Sequence, residues 1–221
     1  MDSDRPAPPT HERHVSRPFY LVAAMVLVWI LGIQSLLAGA STALVLREGS
    51  FQDVDALARA GSGAGEFHDA FVPLLGSARL VVLGTIPHLA FPLSVARALL
   101  ASTLVLASTL VLVGRPSSRS FALQALGANA LFAILEFFLF RHARGAWVEL
   151  ATRAATVIQD PTLPESPAEL MHFWGFWAER FRLGVLELGV PFLAALALTR
   201  PRTKTYFADV AAAGDSAEEE P

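Results

Sequence analysis

The chain of 221 residues contains no cysteine. That absence excludes disulfide frameworks, thiolate zinc or iron–sulfur centres and cysteine-nucleophile chemistry. Charge is scarce as well: Asp, Glu, Lys and Arg make up 17% of the residues, against about 25% in an ordinary globular domain. A chain this poor in charge is neither a disordered polymer nor a highly charged nucleic-acid binder. The signs nearly cancel, with 17 basic and 20 acidic residues, so no polyanionic partner is called for and nucleic acid is excluded. Lysine is almost missing, Lys204 standing alone beside 16 arginines. Catalytic signatures are missing too: there is no His-Glu-x-x-His, no Gly-x-Ser-x-Gly and no Gly-x-x-x-x-Gly-Lys. The sequence therefore calls for no cofactor and leans away from an enzyme.

What the chain does have is apolar residues, 53% of the total, and they are segregated. Four stretches are long enough to cross a hydrocarbon core, which takes roughly 20 helical residues: 19–46, 92–114, 121–140 and 183–199. Their 88 residues hold three charges, Arg97, Glu136 and Glu187, while the other 133 residues hold 34. A soluble amphipathic helix would return a charged face every turn to wet one side. These stretches do not, and the expected fold is an all-α integral membrane protein, a four-helix transmembrane bundle with amphipathic helices in its two long same-side connections. The bilayer is its first partner.

The first span admits a second reading. Arg13 and Arg17 precede an apolar run that reaches Ala38-Gly39-Ala40, the small-residue pattern of a signal-peptide cleavage site. The run is well beyond a signal peptide's roughly 7 to 15 apolar residues and follows an 18-residue polar tail, which favours a retained anchor. For orientation, one set of flanks carries Arg5, Arg13, Arg17, Arg115, Arg119, Arg200, Arg202 and Lys204, eight charges in short segments. The opposite flanks also carry eight, spread over nearly twice the length. Density, and the six-residue turn 115–120, place both termini in the cytoplasm of a cell with the protein in its inner (plasma) membrane.

The long connections, 47–91 and 141–182, are not simple coil. Ser50-Phe-Gln-Asp53 has the spacing of a helix start, and Phe51, Val54, Leu57 and Ala58 line one face after it. The glycine cluster 61–65 reads as a linker, since no strand precedes it and no Gly-Lys-Ser/Thr follows. Residues 66–91 are apolar but broken by Arg79, Pro87 and His88, and are expected to lie along the interface or pack on the bundle. Trp147, Leu150, Ala154, Val157 and Ile158 mark an amphipathic helix stopped at Asp160-Pro161. Ser166-Pro-Ala-Glu169 then gives a capped start for a helix expected to run unbroken to Arg200, with Phe173, Trp174, Phe176 and Trp177 as an interfacial aromatic belt. Residues 200–221 read as a basic, then acidic, disordered tail.

Charges at bilayer depth cost at least about 2.5 kcal/mol each on insertion scales, so the three need a reason. At about 1.5 Å per residue from the termini-side ends, Arg97 and Glu136 sit about 24 Å across and Glu187 about 18 Å. Stripes of small and polar residues accompany them: Ala122, Ala125, Asn129, Ala133 and Glu136 on the third span; Gly184, Glu187, Pro191 and Ala194 on the fourth; Ser94, Arg97, Ala98 and Ala101 on the second; Gly32, Ser35 and Gly39 on the first. Small residues at such spacings let membrane helices approach closely. The expected polar cluster comprises Arg97, Asn129, Glu136 and Glu187, with Arg180 one turn away. It is either a lock on helix register or the lining of a polar cavity for an ion, proton or small anion. Glu66, His68 and Asp69 form a weaker metal candidate without diagnostic spacing; His142 and His172 flank the bundle. The leading functional expectation is a non-catalytic subunit, assembly or interaction partner, in contact with another membrane protein or with itself. A small transporter or ion-binding protein working through the cluster is the alternative, followed by a membrane sensor.

Overall fold

A computed structural model describes residues 17–50, 67–158 and 166–218, which contain helices and turns but no strand. Helix α1 spans Phe19–Glu48, α2 Phe67–Gly84, α3 Pro87–Val113, α4 Ser118–Leu139 and α5 Arg141–Ala155. Helix α6 runs Pro167–Thr199 and α7 Pro201–Glu218. Helices α1, α3, α4 and α6 are long and apolar enough to cross a bilayer, with mean hydropathy of 1.7 to 2.3 over their most apolar stretches. The chain is an all-α membrane protein. The expected helix after Ser50, the glycine cluster, Glu66, the His68 side chain and Asp160-Pro161 lie outside the described residues.

Chain chemistry sets the boundaries. Gly49 (φ 68°) and Gly114 (φ 88°) take the left-handed conformation that ends α1 and α3. Helix α3 starts before the expected Pro92 because Pro87 occupies the first helical turn; Pro92 forfeits only one ladder bond, toward exposed His88. Ser166 caps α6, its Oγ accepting the Glu169 N–H at 3.3 Å, so the fourth span begins far ahead of residue 183, within one continuous rod. That rod is π-helical over Arg182–Gly189, the Val190 N–H bonding to the Val185 carbonyl five residues back. Pro191 follows at once and has no N–H to sustain the ordinary ladder, so the widened turn sits where that ladder is interrupted.

The disordered tail expected after residue 200 is a correction: Pro201–Glu218 is helical. Tyr206 and Phe207 are buried, and Thr203 donates from Oγ1 to the Ala197 carbonyl at 2.8 Å, next to the Tyr20 hydroxyl at 3.0 Å. The amphipathic helix of the second connection ends at Ala155, leaving Val157 exposed rather than in the buried set.

Two hydrophobic cores result. One lies toward the α3–α4 turn, where Met25, Leu104, Ala122, Leu198 and Phe207 bring α1, α3, α4, α6 and α7 together. The other is a cap made by α2, α5 and the first half of α6, around Leu74, Trp147, Ala151 and Met171. Residues 67–84 thus pack on α5 rather than forming a fifth span. Helix α1 lies along α3 in close contact. A Cβ on Gly39 would stand 2.9 Å from both the Ala98 nitrogen and the Ser94 carbonyl oxygen, so the small-residue stripes of these two helices do face each other.

Candidate functional site: a charged junction between two cores

Between the cap and the bundle core the chain gathers six charges of alternating sign. Arg97 of α3 donates from Nη1 to Glu136 Oε2 of α4 at 2.9 Å and from Nη2 to Glu187 Oε1 of α6. The other Glu136 oxygen, Oε1, meets Arg79 Nη2 of α2 at 3.4 Å. On the far side Arg182 reaches Glu187 Oε1 from Nε at 3.5 Å and Glu179 Oε2 from Nη2 at 3.4 Å. The series Arg79, Glu136, Arg97, Glu187, Arg182, Glu179 therefore ties four helices into one network. Glu136 and Glu179 are each only 8% exposed. Breaking one partner of such a buried pair costs about 3–5 kcal/mol, because the other charge is left without compensation.

The structure brings together the three charges singled out in the spans, and adds three from outside the apolar stretches. Asn129 reaches the site differently: its Nδ2 donates to the carbonyls of Leu100 (3.0 Å) and Ala125 (2.9 Å), bridging α3 and α4. Arg180 does not join, which corrects the expected cluster. It is exposed, its guanidinium lying 3.9 Å from the Phe176 ring centroid and 5.6 Å from that of Trp177. Two residues along a helix face nearly opposite ways, so Arg180 and Arg182 cannot share a side. Glu179 and Arg182 do share one, three residues apart. Arg182 and Glu187 are five apart and would diverge on an ordinary helix; the i→i+5 bonding of the π segment stacks them one turn above another.

Arginine is in excess here. Arg144 of α5 lines the same junction as Arg79, Glu136, Glu179, Arg182 and Glu187. Its guanidinium lies 3.5 Å from the Phe137 ring centroid and donates to the Phe137 carbonyl. Four guanidiniums thus accompany three carboxylates. Burial, reinforced by Arg182, pushes Arg79 down to about 10 against the opposing pull of Glu179 and Glu136, still far enough above neutral to keep it charged. Burial lowers Arg144 as well. Arg79 also stands 5.5 Å from the Trp147 ring centroid. The buried Nε–H groups of Arg79 and Arg97 have no acceptor among the described residues.

Beside the network lies a cavity of about 110 Å³, walled by all four spans. Arg97, Asn129, Glu136, Arg182 and Glu187 form its polar wall; Gln34 and Ser35 of α1 stand across from them, and Leu31, Leu104, Phe132 and Val190 supply apolar surface. Pro191 lines it too. Each carboxylate is held by arginine, so none is placed as a free general acid or base. The described residues contain no group of three side chains suited to a metal; Asp69, the described member of the weak metal candidate, is exposed. No protein family, curated protein or solved structure matches this chain.

Proposed function

We propose that this membrane protein binds a small polar solute or ion in the junction cavity, without catalysing a reaction on it. The observation that supports this reading is the cavity itself, set against the charge network. A structural lock accounts for the ion pairs, but a lock works best with packed walls. The space of about 110 Å³ beside the network is instead left unfilled by side chains and is large enough for a small occupant. Its polar wall suits an occupant that forms hydrogen bonds. The reading as a subunit or assembly partner explains the network but gives the cavity no role, and comes second.

Orientation follows from charge. Arg17, Arg115, Arg119, Arg200, Arg202 and Lys204 all flank the bundle-core ends of the spans, which supports both termini in the cytoplasm of an inner (plasma) membrane and the cap on the opposite face. The test is ligand-dependent stabilisation of the full chain in detergent across a panel of small solutes, since a ligand that binds only the folded state raises its stability with concentration. Ala133→Leu, which narrows the cavity from the α4 wall, should abolish the effect. A panel with no stabilising solute, or an equal response from the narrowed variant, would overturn the reading.

A further inference from the structure

The cavity wall balances its charges. Arg97 and Arg182 stand beside Glu136 and Glu187, so a charged solute would enter a low-dielectric site with no counter-charge left to offset it. An uncharged one meets no such penalty.

The wall also holds hydrogen-bonding groups that the network does not use. Both oxygens of Glu136 are engaged, by Arg97 and Arg79, but at Glu187 both Arg97 and Arg182 meet Oε1, and Oε2 has no partner among the described residues. Asn129 commits Nδ2 to the carbonyls of Leu100 and Ala125, which leaves its Oδ1. A third acceptor comes from the backbone. The Val190 N–H bonds to the Val185 carbonyl and Pro191 has no N–H, so the carbonyl of Leu186, next in that register, receives no ladder bond. Leu186 lines the cavity, and irregular backbone at bilayer depth is tolerated where it borders a cavity. On the donor side, Arg182 makes its ion pairs through Nε and Nη2 and keeps Nη1. Ser35 and Gln34, on the α1 wall, make no hydrogen bond among the described residues.

We propose that the cavity takes a small uncharged primary amide, its N–H groups donating to Glu187 Oε2 and the Leu186 carbonyl, its oxygen accepting from Arg182, and its hydrocarbon part against Leu31, Phe132 and Val190. The inference rests on the solute-binding reading and names the chemical class of the solute. An amide carries two donors on one atom and an acceptor on another, which suits a wall with several unpartnered acceptors; an alcohol carries one donor and its acceptor on the same oxygen. Size agrees. A cavity of about 110 Å³ is well above what one water needs and somewhat below the roughly 150 Å³ of a cavity that holds benzene, which leaves room for a molecule such as acetamide.

The experiment uses the full-length chain in lipid nanodiscs and acetamide as the probe, its methyl group followed by saturation-transfer NMR, with Ala133→Leu nanodiscs as the blank. Four competitors share its shape: acetate is the anion, acetamidinium the cation, acetone lacks the donors, and 2-propanol replaces the amide by a hydroxyl. Saturable binding of acetamide is expected, with urea competing within tenfold and each of the four more than tenfold more weakly. Pro191→Ala returns an N–H to the ladder and should weaken acetamide binding at least threefold, with helix content by circular dichroism unchanged; unaltered binding would overturn the part given to the Leu186 carbonyl. Competition by acetate or acetamidinium equal to that of acetamide would overturn the uncharged assignment, and equal competition by acetone or 2-propanol the amide assignment, while leaving a solute site standing. No saturable binding of acetamide, while other solutes stabilise the wild type but not Ala133→Leu, would do the same; no response to any solute would remove both.

Discussion

Replacing Glu136 with glutamine removes one negative charge from between two guanidiniums and leaves the volume unchanged. Arg97 keeps Glu187, but Arg79 loses its ion-pair partner, 3.4 Å away, while already held down to about 10 by burial. Loss of one partner from a buried pair costs about 3–5 kcal/mol. The glutamine oxygen still accepts one hydrogen bond, worth about 1 kcal/mol net, so Glu136→Gln should destabilise the fold by about 3 kcal/mol. Adding Arg79→Met removes the stranded charge and should recover at least about 1 kcal/mol of that loss, since residues in one network couple by 0.5–3 kcal/mol. Unfolding by sodium dodecyl sulfate in mixed micelles, followed by circular dichroism and by the summed fluorescence of the four tryptophans, measures all the variants needed for the cycle. A cost below about 0.5 kcal/mol for Glu136→Gln, as at an ordinary surface site, would refute the reasoning, as would strict additivity of the two changes.

Three further outcomes follow from the packing. Gly39→Ala should cost about 1–3 kcal/mol by overpacking, because its new Cβ meets backbone atoms of α3 at 2.9 Å. Gly32→Ala should cost less, because the nearest atom there is a Val105 methyl; the same unfolding titration ranks them. Removing residues 201–221 should lower the melting temperature in detergent by several degrees, through lost burial of Tyr206 and Phe207 at about 1.5–3 kcal/mol for a buried aromatic; an unchanged melting temperature would mean that α7 adds nothing to the bundle. Trp147→Ala should cost about 3–5 kcal/mol and speed proteolysis within the cap while the spans stay protected, since Trp147 belongs to the cap core alone.

The spans and three of the six network charges were legible in the sequence for one reason: a charge inside an apolar run is conspicuous, and counting 1.5 Å per residue puts Arg97, Glu136 and Glu187 near one level. Arg79, Glu179 and Arg182 gave no such signal, because they sit in segments where charges are ordinary. Their role depends on how the cap folds back onto the bundle, through contacts far apart in the chain such as Arg79 with Glu136. Choosing Arg180 over Arg182 follows from assuming 3.6 residues per turn through a segment that is π-helical. Pro191 does point to a disturbed ladder, but not to which residues the disturbance brings into line. The tail was misread because its composition is polar, while two adjacent aromatics, Tyr206 and Phe207, are enough to anchor it.

The central claim, that a cavity with one charged wall persists beside the network inside the spans, is most directly tested by thiol reactivity, which a chain without cysteine makes simple. Ser35→Cys places a thiol on the cavity wall, and Leu37→Cys places one on the outward face of α1 at the same level, where Leu37 is 63% exposed. N-ethylmaleimide reaches both through the bilayer but reacts with the thiolate, which a polar wall bearing guanidiniums favours and hydrocarbon suppresses. The account predicts at least tenfold faster alkylation at position 35 in intact membranes. Equal, slow rates at both positions would contradict it.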